Sequence, residues 1–381
     1  MVKPESTEHR IFQEIARHET ASIGRLARGM GIQPQSLLGK LRPLVKRGYL
    51  VFSEGRAKVG INPDFGQVVG IDLGGSHLHF ALADFRGKIL QDSNIKIRPE
   101  DGPRKLIGEI VAGARALAAK AGGRLRAIAI GVPSPVDAER GVVAFAYNLP
   151  GWKNIHLGRE LEEKLRVPVF LENDCNMAAI GEHWRGVAQD VDNFVMMAIG
   201  TGTGSGVFVN GKLYRGRTGS AGEVYHMNID WPRWADDFGD SGHFESYVSG
   251  MGIAAEGKKA LPPSGSAASD LAGERDAYFV FDAFRQGDPN ARAVLEKIFI
   301  MLGVGISNII SILDPDLIVL GGGIAKGAPE FMLSTVGKVV QHLYKDNAPP
   351  IKLTALEDKA QTFGAIRAAL DLAQQAIARR L

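Results

Sequence analysis

Two glycine-rich reversals constrain this chain more than any other feature of its sequence. VVGIDLGGSHLHFALAD (residues 68–84) and FVMMAIGTGTGSGVFVNGKLYRG (residues 194–216) each lead an apolar run into clustered glycines and let an alternating run out. After the first turn His77, Leu78, His79, Phe80, Ala81 and Leu82 alternate with period two, so a strand follows and not a helix. Neither a dinucleotide-binding turn nor a P-loop fits, because both need a helix N-terminus facing the phosphates. A plain β-turn and an anion-cradling hairpin both remain compatible with the first stretch. In the second case Gly74 and Gly75 let the backbone approach an anion, and Asp72 at the strand end holds a metal ion through its water shell. The second reversal lies about one domain length later, and LIVLGGGIAKG (residues 317–327) adds a third glycine cluster. Such repetition predicts an internal duplication, with two lobes each offering a backbone loop to one polyphosphate in the cleft between them. Strands and helices alternate from Gln67 onward, so most of the chain reads as α/β.

The first sixty residues follow a different pattern. Ile11, Phe12, Ile15 and Ala16 recur at helical spacing, Thr20-Ala21-Ser22 breaks the pattern, and IGRLARGMG begins a second short helix that Gly31 closes. Pro34 falls in the first turn of a third helix, with Leu37, Leu41, Leu44 and Val45 on one face and basic residues on the other. YLVF, the turn SEGR and AKV then form a small hairpin. Three helices and a wing predict a winged helix-turn-helix whose third helix enters the major groove. Gln33, Gln35, Ser36 and Lys40 are the candidate base readers; Arg42, Lys46, Arg47 and Arg56 are the candidate phosphate contacts. Charge is asymmetric in the same sense. Residues 1–60 carry +6 and the remaining 321 about −3, out of a total of +3, so a polyanion partner or a solvated basic face is concentrated at one end.

Between the reversals, VPVFLENDCNMAAIGEHW begins as a buried strand, Val167 to Leu171, and its carboxylates emerge where a helix of small apolar residues starts. Glu172 and Asp174 therefore sit at a strand-to-helix junction, a common place for α/β active-site groups. Asp174 is either the N-cap of that helix or, in a phosphoryl-transfer cleft, the carboxylate that takes a proton from an attacking hydroxyl. Asn148, Asn173 and Glu172 are groups that grip a polyol bidentately. Farther on, GSAGEVYHMNID places Glu223 and His226 after the second reversal. His226 is a structural histidine or, beside Glu223 and the phosphate loop, a site residue.

Composition excludes several classes. With 381 residues, 45% hydrophobic and 23% charged, the chain has material for two or three domains and a substantial core. Cys175 is the only cysteine, which rules out an intramolecular disulfide and points to a reducing cytoplasm. MVKPESTEHRIF lacks the apolar core of a signal peptide, and no uninterrupted apolar run reaches the roughly 18 residues of a membrane span. A cytoplasmic protein without membrane contact is expected.

Taken together these segments resemble the ROK family (repressor, open reading frame, kinase) over nearly the whole chain. The resemblance implies the actin-like, ribonuclease-H-like two-lobed sugar-kinase fold, here behind an N-terminal winged helix-turn-helix. IDLGGS resembles the first phosphate motif, with Asp72, Gly74, Gly75 and Ser76; IGTGTGSG resembles the second, with Gly200, Thr201, Gly202, Thr203 and Gly204; LIVLGGGIAKG resembles the adenosine motif, with Gly321, Gly322 and Gly323. ATP with Mg2+ is the implied cofactor. GVPSPVD, NLPGW, LENDCN and SAGEVYH resemble sugar-site segments in the family order, which implies Asp174 as catalytic base and Asn148, Asn173, Asp174, Glu223, His226 and Glu245 as sugar contacts. The expected division is 1–62 for the DNA-binding domain, 63–188 with a returning helix 361–381 for the first lobe, and 189–360 for the second.

One departure stands out. Where the family carries C-x-C-G-x-x-G-C-x-E for a structural zinc, this chain has ADDFGDSGHFES, keeping Glu245 and no cysteine. Thiolate-bound zinc is therefore excluded. A site built from His226, Asp236 and His243 has only spacing to support it, so no metal is expected and packing by Trp231, Trp234 and Phe238 is expected to hold the segment. The implied function is a sugar-responsive DNA-binding transcriptional regulator that binds a sugar and ATP. The alternative is an ATP-dependent hexose or N-acetylhexosamine kinase. Its expected partners are a double-stranded DNA operator, a small-molecule sugar and further copies of itself as a homodimer or higher oligomer. The apolar stretch LGVGISNIISILDPD reads as a core helix or an interface.

Overall fold

A computed structural model describes residues 6–120, 122, 124–146, 149–238, 242–261 and 276–381. It forms two compact units: the chain up to Asp174 together with Ala365–Leu381, and Cys175–Gly364.

The first unit opens with three helices. The Ser6 hydroxyl accepts the His9 N–H and starts α1 (Thr7–His18), which buries Ile11, Phe12, Ile15 and Ala16. Thr20–Ser22 forms a short strand, β1, where the sequence suggests only an interruption. Three residues carry no periodic signal of their own; pairing with a later strand defines them. Ser22 caps α2 (Ile23–Met30), and Gly31 ends it in the left-handed region at φ 66°. In α3 (Pro34–Lys46), Leu37, Leu41 and Leu44 face inward. The wing follows as β2 (Leu50–Ser53) and β3 (Lys58–Ile61), giving a three-stranded sheet ordered β1-β3-β2.

Beyond Pro63 come β4 (Gln67–Leu73), β5 (His77–Asp84), β6 (Ile89–Lys96), α4 (Gly102–Lys120) and β7 (Leu125–Val132). A small sheet of β8 (Val136–Asp137), β9 (Val142–Phe145) and β10 (Lys153–Ile155) precedes α5 (Leu157–Leu165) and β11 (Val169–Asn173). The main sheet is ordered β11-β7-β4-β5-β6, with β11, β7 and β4 parallel and β4, β5 and β6 antiparallel. Val69, Ile71, Phe80, Leu106, Ile110 and Leu161 belong to its buried core. At Gly70 an added Cβ would stand 2.9 Å from the Ile366 backbone nitrogen, so only glycine lets the last helix lie this close to β4.

An aromatic chain ties the three-helix head to this sheet. Phe12 meets Tyr49 at 6.1 Å between ring centroids, Tyr49 meets Phe65 at 4.9 Å, and Phe65 meets Phe85 at 5.2 Å, all edge to face. Arg126 lies over Phe65 at 4.5 Å and donates to its carbonyl at 2.9 Å, while Arg86 Nε donates to the Ile61 carbonyl at 2.6 Å. On the opposite flank His9 Nδ1 is 2.8 Å from the carbonyl of Ala378. Each aromatic pair contributes about 0.5–1.5 kcal/mol beyond its buried area, so the head is docked on the sheet as one packed body.

In the second unit α6 (Asp174–Arg185) leads to β12 (Phe194–Ile199), β13 (Thr203–Val209) and β14 (Lys212–Leu213). Then come α7 (Glu245–Val248), α8 (Gly250–Ala260), α9 (Tyr278–Arg285), α10 (Pro289–Leu313), β15 (Leu317–Gly321), α11 (Gly323–Gly327), α12 (Pro329–Tyr344), β16 (Ile351–Leu353) and α13 (Ala360–Ala378), which from Ala365 onward belongs to the first unit. The sheet order is β14-β13-β12-β15-β16. By length and composition α10 could cross a membrane, although its unbroken apolar runs are shorter than a span; 61% of its most apolar window is buried. Leu295, Ile298, Phe299, Leu302, Ile306 and Ile310 fill the core of this unit, so LGVGISNIISILDPD is a core helix.

α6 and the start of α13 cross through glycine. A Cβ on Gly364 would overlap the Met177 carbonyl, and one on Gly181 the Ala360 carbonyl. Gly364→Ala is therefore expected to destabilise the protein by about 1–3 kcal/mol, the range for overpacking, as a lower denaturant midpoint with unchanged slope.

Candidate functional site

On the head, Gln33, Gln35, Ser36, Arg42, Lys46, Arg47 and Arg56 are all exposed. Gln33 precedes α3 and makes no side-chain cap, so its amide is not spent on the helix end. Lys40 is half-buried and lies 3.6 Å from Glu8 of α1. Arg56 lies in the wing turn at φ 72°.

The first glycine turn joins β4 to β5, with Gly74 N–H donating to the His77 carbonyl at 2.9 Å. Asp72 is buried at the end of β4, and Ser76 is exposed. Neither Gly74 nor Gly75 has a positive φ. A Cβ at Gly74 would instead meet the His77 ring, lying 2.6 Å from Nδ1 and 2.9 Å from Nε2. That imidazole is also 3.5 Å from the Asp72 carboxylate. The sequence reading missed this histidine, although period-two alternation already puts His77 and His79 on one face of β5, and His79 pairs across the sheet with Asp72.

β11 ends in the polar group expected there. Glu172 is 2% exposed and accepts the Asn173 N–H at 3.0 Å; the Asn173 amide donates to the Ser134 carbonyl at 3.3 Å. Asp174 is half-buried and is the first residue of α6. Asn148 lies outside the described residues.

In the second unit the turn between β12 and β13 holds Gly200, Thr201, Gly202, Thr203 and Gly204, with Gly200 N–H donating to the Gly202 carbonyl at 2.8 Å. Again none of these glycines has a positive φ. Glu245, at the start of α7, accepts the Thr203 N–H at 2.6 Å, and its oxygen is 2.6 Å from where a Gly202 Cβ would be. A Gly204 Cβ would lie 2.6 Å from Cys175 Sγ, so that glycine accommodates α6. Gly322 has φ 90° and would overlap the Ile199 carbonyl with any side chain; Gly321 faces Met196 and Thr354, and Gly323 begins α11. Glu223 is half-buried and His226 is exposed, its ring 4.0 Å from that of Tyr225.

The segment in place of the zinc motif is held by an arginine. Arg233 donates to Asp236 and to the Tyr247 hydroxyl, both at 2.6 Å, and lies over Phe238 at 4.9 Å. His243 is 7% exposed, takes the Ile229 N–H at 3.3 Å and packs edge-on to Phe238 and Tyr247. Trp231 and Trp234, expected to pack here, are 80% and 76% exposed; the arginine fills the role assigned to them. Among the described residues no group of three His, Cys, Asp or Glu is arranged to hold a metal ion.

The family model described as "ROK family" matches residues 68–376. A putative xylose repressor of Caldicellulosiruptor sp. (strain Rt8B.4) is 28% identical over 93% of each chain. A glucokinase of Thermotoga maritima is 32% identical over 73% of this chain and 88% of its own. Among solved structures, a ROK family transcriptional regulator, a homolog of the E. coli MLC protein, superposes with a TM-score of 0.81 at 25% identity, covering 97% of both chains.

Burial raises the Glu245 carboxyl above the usual glutamate range, against the Thr203 N–H that favours its charged form. Its folded value exceeds its unfolded one, so its contribution to stability is complete below the unfolded value and is lost as pH rises through the folded one. Glu245→Gln is expected to flatten that part of the stability profile from about pH 4 upward, measured by denaturant titration across pH.

Proposed function

We propose that this chain, which belongs to the ROK family, is a sugar-responsive transcriptional regulator in which residues 1–62 read a DNA operator. Its fold is the actin-like sugar-kinase fold behind a winged helix-turn-helix. Residues 63–188 with 361–381, and 189–360, are the two lobes of the proposed sensor. One observation carries the reading. A head with exposed Gln35, Ser36, Arg42 and Lys46 on α3 is packed, through Phe12, Tyr49, Phe65 and Phe85, onto the same sheet that ends in Asp72 and Asn173. The repressor relative, which matches nearly end to end, supports the same conclusion.

In this proposal Asn148, Asn173, Asp174, Glu223, His226 and Glu245 hold the sugar, with amide and carboxylate groups taking adjacent hydroxyls in pairs. The sugar binds one arrangement of the domain better than another and shifts the population toward it. Because the head is packed on the sheet, that shift moves α3. In a homodimer, also proposed here, it changes the spacing of two recognition helices and hence operator affinity.

A second reading, an ATP-dependent hexose or N-acetylhexosamine kinase, is supported by Asp174 at the head of α6 and by the glucokinase relative. Asp174 would then accept a proton from a sugar hydroxyl. Asp174→Asn should lower any sugar-dependent ATP turnover by about two to four orders of magnitude, and absence of turnover in the wild type across hexoses and N-acetylhexosamines removes this reading.

The regulator reading is tested on operator DNA. Replacing Arg42 and Lys46 by alanine should weaken binding and reduce the salt slope by roughly one unit per lost phosphate contact. Xylose and glucose, the sugars named in the relatives' descriptions, head a thermal-shift screen, since a ligand of the folded form raises the melting temperature. An unchanged salt slope, or no sugar that both shifts melting and alters operator binding, overturns the proposal.

A further inference from the structure

We propose that the chain closes its first glycine hairpin with its own side chain, His77, so that it takes its sugar without a nucleotide. His77 is then the residue that excludes a magnesium–triphosphate. The inference rests on the sensor reading above and narrows what the sensor binds.

On the first hairpin the His77 ring lies across Gly74, Nδ1 falling 2.6 Å and Nε2 2.9 Å from the position of an added Cβ. That is the surface a phosphate oxygen needs if the backbone is to cradle it. The same ring reaches to 3.5 Å from Asp72 Oδ2, and the Asp72 side chain is only 6% exposed. A cation held by Asp72 through water needs the volume that the imidazole fills. Of the other charged groups on this face, His79 is turned to Asp92 at 3.4 Å, leaving His77 as the imidazole on the hairpin carboxylate. Of the two glycines in this turn, Gly75 has open space around its Cα.

On the second hairpin the N–H of Thr203 already has an anionic acceptor, Glu245 Oε2 at 2.6 Å. A backbone N–H beside a glycine turn is the donor a phosphate oxygen would use, and here a carboxylate oxygen occupies its acceptor position. The Thr203 hydroxyl is buried and has no hydrogen-bond partner among the described residues. As folded, then, the first hairpin does not fit a magnesium-bound phosphate, and the glycine at 74 makes room for His77.

The proposal predicts a gain of binding on removing a side chain, which a merely structural role for His77 would not produce. Isothermal titration and thermal shift would be read for the full-length wild type, His77→Ala and His77→Asn, with MgATP and, in separate runs, with the sugars of the screen. The wild type should bind a sugar and show no saturable MgATP binding. Both variants should gain at least about tenfold in MgATP affinity while their sugar affinity stays within about twofold. The asparagine variant keeps a polar side chain in the turn should alanine impair folding. MgATP binding in the wild type as tight as in the variants overturns the proposal, as does failure of a folded variant to gain affinity. Failure of the sensor reading is separate and shows itself as no sugar response in the wild type.

Discussion

Close approach of backbone to backbone, permitted where a residue has no Cβ, is the constraint on which both units depend. Gly70 lets α13 lie against β4, Gly206 lets α6 lie against β13, and Gly364 with Gly181 lets α6 and α13 cross at carbonyl contact. A methyl group at any of these places meets a backbone atom, which cannot rotate away as a side chain can. Glycine richness in this chain is thus first a packing device. The two turns belong to the same economy of space: none of Gly74, Gly75, Gly200, Gly202 and Gly204 takes a positive φ, and a Cβ at Gly74, Gly202 or Gly204 would meet His77, Glu245 or Cys175.

This explains which parts of the molecule were legible in the sequence. The three helices, Gly31 as a helix stop, the wing, both hairpins and the strand-to-helix junction at Asp174 all carry local signals, either a period or a cap, and the structure has each of them. β1 carries none, since three residues become a strand only by pairing with β3. The side-chain occupants of the turns were equally hidden. Glu245 is more than forty residues from Thr203, and no local pattern announces that its carboxylate will take that N–H. Trp231 and Trp234 illustrate the reverse error, because large aromatic residues invite a core reading while the segment is held by Arg233 acting on Asp236, Tyr247 and Phe238. The Lys40–Glu8 pair is likewise not announced by any local pattern, since its partners lie on different helices.

The joint between head and sheet gives the regulator reading its physical content. A flexible linker would average out any small rearrangement of the sheet before it reached α3. Here the connection is Phe65, packed between Tyr49 and Phe85 under Arg126, with Arg86 bonded to the last residue of the wing. Packed contacts of this kind have few alternative arrangements, so a displacement at one end is transmitted or resisted and is not absorbed. His9 on the Ala378 carbonyl adds a second point of attachment, from the head to the far end of α13. Two attachments fix orientation where one would leave a pivot.

A sensor and a kinase ask different things of the same scaffold. A kinase must hold two ligands and release a product, so its turns have to stay open between cycles and pre-aimed at developing charge. A sensor needs one ligand and two states of different affinity for it, and gains from any internal contact that keeps unproductive ligands out. Filling a turn with a side chain costs the protein its phosphate site but satisfies buried groups in the absence of ligand, as the Thr203 N–H is satisfied by Glu245. It also leaves Asp174 and Asn173 untouched, because the closing residues belong to other elements. On the proposal made for His77, exclusion of nucleotide and binding of sugar through Asn173 and Asp174 fall to different elements of this fold, and the winged head converts the second into control of DNA.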